Sequence, residues 1–179
     1  NDIQELNKKS HLHHPFGEGE CMSCHEPHGS RLKSLLKNSI SKICSDCHDN
    51  AEKDNKKKAV HLPVKEGKCE KCHQPHASDN AKLLKESPAN LCYSCHKKDA
   101  FSKKNIHKPV IENQCLVCHE GHSSDYAKLL KSKSGELCLS CHKKVASESA
   151  NKYNHVPFVA GNCVQCHNPH TSVSEKLLI

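Results

Sequence analysis

The sequence predicts mostly coil with short α-helices, little or no β-sheet, and a core made of something other than side chains. Three observations carry this. Leu, Ile, Val and Phe number 34 of 179 residues, aromatics are 3%, and mean hydropathy is -0.77. That is too little apolar bulk to offset the entropy of ordering so long a chain. Val, Ile and Thr are scarce and do not alternate, which argues against a substantial sheet. The chain nevertheless holds 14 Cys and 17 His, far more than a disordered linker carries.

All fourteen cysteines fall in Cys-x-x-Cys pairs, each followed at once by His. The seven are Cys21-Cys24-His25, Cys44-Cys47-His48, Cys69-Cys72-His73, Cys92-Cys95-His96, Cys115-Cys118-His119, Cys138-Cys141-His142 and Cys163-Cys166-His167. This is the attachment motif of c-type haem, in which two thioethers fix the porphyrin and the adjacent His becomes its proximal iron ligand. A disulfide scaffold does not need the seven His. Zinc sites usually combine two such pairs, and seven pairs cannot all be matched two by two. Seven covalently attached haem c groups in 179 residues is one per about 26 residues. The expected fold is therefore coil and short helices wrapped round a stacked chain of seven haems, and the chain is not expected to fold without them.

Four repeats are visible. After an N-terminal lead, 1–12, they run 13–60, 61–106 and 107–154, with two haems each, and 155–179 with one. In every repeat a His stands eight residues before the first Cys: His13, His61, His107 and His155. A Pro follows two residues later, at Pro15, Pro63, Pro109 and Pro157, and is expected to set an extended entry into the motif. After the first motif come a further His (His28, His76, His122, His170), a Ser (Ser30, Ser78, Ser124, Ser172) and a Leu-Leu pair. A segment such as 79–84 has helical formers, and its Leu-Leu face is expected to pack on porphyrin. Linkers are expected near 50–59, 97–105 and 143–154.

The pattern resembles the doubled Cys-x-x-Cys-His family of multihaem cytochromes c over residues 13–179. Its relatives include periplasmic haem wires and redox partners of respiratory reductases. The resemblance implies closely spaced, low-potential bis-His haems that pass electrons. Gly121 departs from the Pro found at Pro27, Pro75 and Pro169, and an eighth motif is missing.

Ten His remain for the distal positions. Met22, the sole Met, lies inside a motif, so His/Met ligation, which would raise the potential, is not expected. A His three residues past a proximal ligand can hardly reach over its own ring. His28, His76 and His122 are therefore assigned to the second haem of their own repeats. The eight-residue spacing also resembles that of the tetrahaem class III cytochromes c, which implies that His13, His61, His107 and His155 ligate the haem they precede. His11, His14 and His170 are left over. His170 is read either as a surface relic or as the ligand of a haem in a second copy, with His11 or His14 playing that part from the other end. The second reading makes a head-to-tail polymer, as in some extracellular cytochrome filaments.

The formal charge of +7 is read as counter-charge to the haem propionates, since each ferric bis-His haem carries about one net negative charge. It is not read as a nucleic-acid footprint. The only Lys cluster, Lys56-Lys57-Lys58, reads as a solvated linker. No apolar run suits a membrane span, so direct membrane insertion is not expected. The chain lacks an initiating Met and a signal-like segment and reads as a processed form. Haem of this type is attached outside the energy-coupling membrane, which gives a periplasmic or extracellular address. The functional readings are an electron wire, as a filament subunit or a discrete shuttle or conduit component, with other redox proteins or its own copies as partners. A multihaem reductase would need an open iron, whereas all seven motifs are regular. A haem-stacked structural module is a third reading.

Overall fold

The computed structural model describes residues 3–179, the side chain of Glu52 excepted. The first two residues of the lead lie outside the described residues. The chain forms two compact units, one of residues up to 56 with 60–95, the other of 57–59 with 96–179.

Each repeat uses one order of short elements. It begins with an extended His (ψ 129 to 136°) that caps a one-turn helix: His14–Gly17, Leu62–Lys65, Lys108–Ile111 or Val156–Val159. Pro occupies the second position of that turn, where its missing N–H has no helical partner to lose. The expected extended entry at Pro thus falls two residues earlier, on the His. A left-handed residue then ends the turn, at Gly19, Gly67, Asn113 and Gly161 (φ 73, 66, 57 and 69°). Three of the four are Gly, which reaches this region without a Cβ clash. The first Cys-x-x-Cys follows as a single helical turn: Cys21–Ser23, Cys69–Lys71, Cys115–Cys118 and Cys163–Gln165. The second pair rides a helix that starts before it: Ile40–Ser45, Pro88–Tyr93 and Ser134–Cys141. Ser39 and Ser87 cap two of these by accepting from Lys42 N–H and Asn90 N–H.

The segment 79–84 is not the helix its residues suggest. Ala81–Leu83 makes one turn with Lys82 and Leu83 both left-handed (φ 57 and 56°), and Ser34–Leu35, Lys128–Leu129 and Lys176–Leu177 repeat this. Two successive positive φ values make the mirror-image turn that joins hairpins. Each turn folds its second Leu back onto the proximal His as a bridge: His25 with Leu36, His73 with Leu84, His119 with Leu130 and His167 with Leu178. Two of the expected linkers contain short helices, Asn50–Asp54 and Lys143–Glu148, and the third holds the turn Lys98–Phe101.

Sheet is confined to two-residue strands. In the first unit His11–Leu12, at the end of the lead just ahead of repeat one, pairs antiparallel with Ala77–Ser78 of repeat two. In the second, Asn105–Ile106, just ahead of repeat three, pairs with Thr171–Ser172 of repeat four. The buried positions coincide with these junctions. Among the described residues the only buried apolar side chain is Ala77, 3% exposed. The buried polar ones are Ser78, Ser123, Ser124, Thr171 and Ser172. Leu62, Ile111 and Val156 are 62, 62 and 76% exposed. Among the described residues there is thus no side-chain core, as the composition predicts.

Glycine lets consecutive repeats approach closely. A Cβ on Gly135 would lie 2.8 Å from Gly161 Cα, and one on Gly67 would lie 2.6 Å from Ser41 Cβ. Gly135→Ala is expected to destabilise the haem-loaded protein by about 1–3 kcal/mol through overpacking. Thermal unfolding monitored in the haem absorbance checks this.

Candidate metal centres

The local chain places two thiols and one imidazole on a common face. In six of the motifs the His N–H donates to the carbonyl of the first Cys, at 2.9 to 3.1 Å, closing one helical turn over Cys-x-x-Cys-His. Thiols three residues apart and the following His therefore converge by local geometry alone.

The first His of each repeat is then fixed by its second nitrogen. Nδ1 of His25, His73, His119 and His167 donates to the carbonyl of Ser34, Lys82, Lys128 and Lys176, at 2.8, 2.9, 2.9 and 2.8 Å. A carbonyl can only accept, so the proton sits on Nδ1 and Nε2 keeps its lone pair for a metal. The left-handed turn aims that carbonyl. Its hydroxyl brace is the Ser after the further His: Ser30, Ser78, Ser124 and Ser172 each donate to the carbonyl of the second Leu. Each also accepts a backbone N–H two residues on. The sequence shows this Ser and the Leu-Leu pair at fixed places but gives no sign of the left-handed turn between them. Ser78→Ala is expected to cost about 0.5–1.5 kcal/mol, because it removes one of the two donors to the half-buried Leu84 carbonyl, Asn80 Nδ2 being the other, and the acceptor of Asn80 N–H. A lowered melting temperature of the haem-loaded protein reads this out.

Imidazoles of the motifs are paired with imidazoles from elsewhere. His25 stands 5.9 Å from His76, and His48 stands 6.0 Å from His13, centre to centre, at 29 and 16° between planes. The second unit repeats this, with His119 and His170 at 5.9 Å and 23°, and His142 and His107 at 6.0 Å and 18°. Two imidazoles bound end-on to one metal, at about 2 Å per nitrogen–metal bond, have ring centres about 6 Å apart. The recurrence of one separation in four pairs fits a six-coordinate iron with two axial His. On the distal side Nδ1 is again tied to backbone: His13 donates to Pro75 O and His107 to Pro169 O, both at 2.9 Å. Burial pushes the pKa values of His76 and His170 down, and the nearby proximal His adds to this. Both effects favour the neutral, ligating form.

These pairs differ from those expected of His76 by its spacing and of His13 and His107 by the class III resemblance. His13 lies against the second motif of its repeat and not against the motif it precedes. His76 lies against the first motif of the preceding repeat and not the second of its own. His107 and His170 follow the same rule. His170, read as a relic or as a ligand for a second copy, is half-buried beside His119 of its own chain. Its ring also meets Phe101 edge-on at 5.3 Å. Strand pairing is the cause. Docking His11–Leu12 on Ala77–Ser78 lets His13 N–H donate to His76 O at 2.8 Å. The two imidazoles then stand against different motif His, His13 on His48 and His76 on His25. His11 is a strand residue opposite Ser78, His14 opens a helix, and His11, His14, His28 and His155 are all exposed.

The thiols show how successive motifs adjoin. Burial raises the pKa of Cys24, Cys72 and Cys118, and the nearby thiols of Cys47, Cys95 and Cys141 add to it. Burial likewise raises Cys44 and Cys138, which lie against Cys69 and Cys163. Attachment sites of consecutive motifs are thus neighbours both within a repeat and across a repeat junction. No helix among the described residues is long and apolar enough to cross a membrane.

Comparison with known families matches the doubled CXXCH motif at residues 13–53, 61–101, 107–147 and 155–179. No curated protein matches the chain.

Proposed function

Since the chain belongs to the doubled CXXCH family and is a multihaem c-type cytochrome of electron transfer, we propose that it carries seven haems as a continuous electron conductor. The observation that carries this is the recurrence of the paired imidazoles at 5.9 to 6.0 Å. The fourteen Cys would hold the porphyrins and the seven motif His would be proximal ligands. The haem supplies reversible one-electron exchange at its iron.

The protein's own part is to space, orient and close these sites. His76, His13, His170 and His107 complete the irons of His25, His48, His119 and His142. His61 and His122, at matching places in repeats two and three, are two further distal ligands. With a His on both sides, those six irons offer no position to a substrate, which supports electron conduction over catalysis. All-His ligation keeps potentials low, because the Met that would raise them is absent from the axial positions. Adjacent attachment thiols keep consecutive sites close enough for direct hopping. The working place is periplasmic or extracellular, and partners are redox proteins and further copies of the chain.

Intact mass and pyridine haemochrome analysis test the count. Seven haems per chain, with a low-spin spectrum, are expected. Fewer than seven, or several high-spin irons, would overturn the reading.

A further inference from the structure

The repeat junction recurs at fixed places, and one copy of each half of it is uncovered. The receiving half is the pair after the further His. Ala77–Ser78, Ser123–Ser124 and Thr171–Ser172 are all buried. At the fourth equivalent place His28 and Gly29 are exposed and Ser30 is half-buried. A Cβ on Gly29 would meet nothing within 4 Å. The docking half is the pair before the upstream His, at His11–Leu12 and Asn105–Ile106. Its equivalent just ahead of repeat four, residues 153–154, forms no strand, and Tyr153 is 82% exposed. The iron site matching those of His25 and His119 is that of His167, for which no second imidazole stands in place among the described residues.

We propose that these two halves dock in a second copy of the chain: His28 of one copy completes the iron on His167 of the next. The inference rests on the haem reading above. The observed junctions supply its contacts. His13 and His107 N–H donate to His76 and His170 O, so His155 N–H donates to His28 O of the neighbouring copy. Nδ1 of His13 and His107 donates to Pro75 and Pro169 O, so His155 Nδ1 donates to Pro27 O. Phe16 packs on His76 at 5.2 Å, and Phe158 stands at the same place in repeat four, where it packs on His28. The exposed ion pair Lys9–Asp79 has no counterpart, because Asn151 and Arg31 hold those positions. The interface is therefore not expected to weaken sharply with salt. One docking half and one receiving half per chain make a heterologous contact, which propagates head to tail.

Light scattering and electron microscopy of the haem-loaded chain, with its electron paramagnetic resonance spectrum, test this. Wild type is expected to form polymers whose irons are all low-spin. Gly29→Trp leaves the subunit unclashed but blocks the receiving edge. It is expected to give discrete particles with about one-seventh of the iron high-spin. Added below stoichiometry to wild type, it is expected to shorten the polymers by ending growth at one end. His28→Ala is expected to show the same high-spin fraction whatever the particle size. A wild type that stays a single chain at every concentration, or Gly29→Trp polymers as long as wild type, would overturn the inference while leaving the haem reading intact. Fewer than seven haems, or several high-spin irons in wild type, would instead strike the haem reading itself.

Discussion

Made without haem attachment, the chain is expected to show no cooperative unfolding transition. Ordering backbone costs roughly 1–2 kcal/mol per residue, and one buried methyl returns about 0.8 kcal/mol. Among the described residues Ala77 is the only buried apolar side chain. The longest helix is Ser134–Cys141 and the strands are two residues long, far below the lengths at which isolated elements persist in water. The porphyrin faces must supply the apolar surface. Circular dichroism on heating checks this, with chain produced where no haem is attached compared with the haem-loaded form. A flat, coil-like signal is expected from the first and a sharp transition from the second. A sharp transition from both would show a side-chain core where the structure has none.

His76→Ala is expected to open one iron, and that iron belongs to the repeat before it. The variant should show about one-seventh of its iron as high-spin and bind carbon monoxide at that fraction when reduced. A second pair of substitutions locates it. If His76 serves the haem on Cys21 and Cys24, adding Cys21→Ser and Cys24→Ser removes that haem and the high-spin signal together. If His76 serves the haem on Cys92 and Cys95, the signal persists. His170→Ala with Cys115→Ser and Cys118→Ser repeats the test in the second unit, where the same rule holds at 5.9 Å.

The periodic part of this protein is legible in its sequence and the connecting part is not. The four repeats, the seven motifs and the lack of a core follow from spacing and composition, because attachment chemistry fixes Cys and His at exact intervals. Wiring does not follow. It is set by strands as short as His11–Leu12 on Ala77–Ser78, and two residues are too few to show an alternating pattern. The class III resemblance puts His13 on the haem of Cys21, whereas its ring stands against His48, beyond the one-turn helix His14–Gly17. Lys82 and Leu83 are equally opaque. Neither is a residue that favours positive φ, yet the pair makes the turn that aims the Lys82 carbonyl at His73. Left-handed non-glycine residues cost of order 1–3 kcal/mol each, and here the turn secures an imidazole for metal binding. Pro15 and its equivalents were legible as breaks in the chain but not as the second residue of a helix.

The central claim is that within each unit the later repeat lends its further His to the first haem of the earlier repeat, and the earlier repeat keeps its upstream His for its own second haem. Density for the haem-loaded protein at side-chain resolution tests it at one place, the iron held by His25. The account predicts the His76 imidazole as its sixth ligand, with His13 on the iron of His48. Finding His13 on the iron of His25 would contradict it.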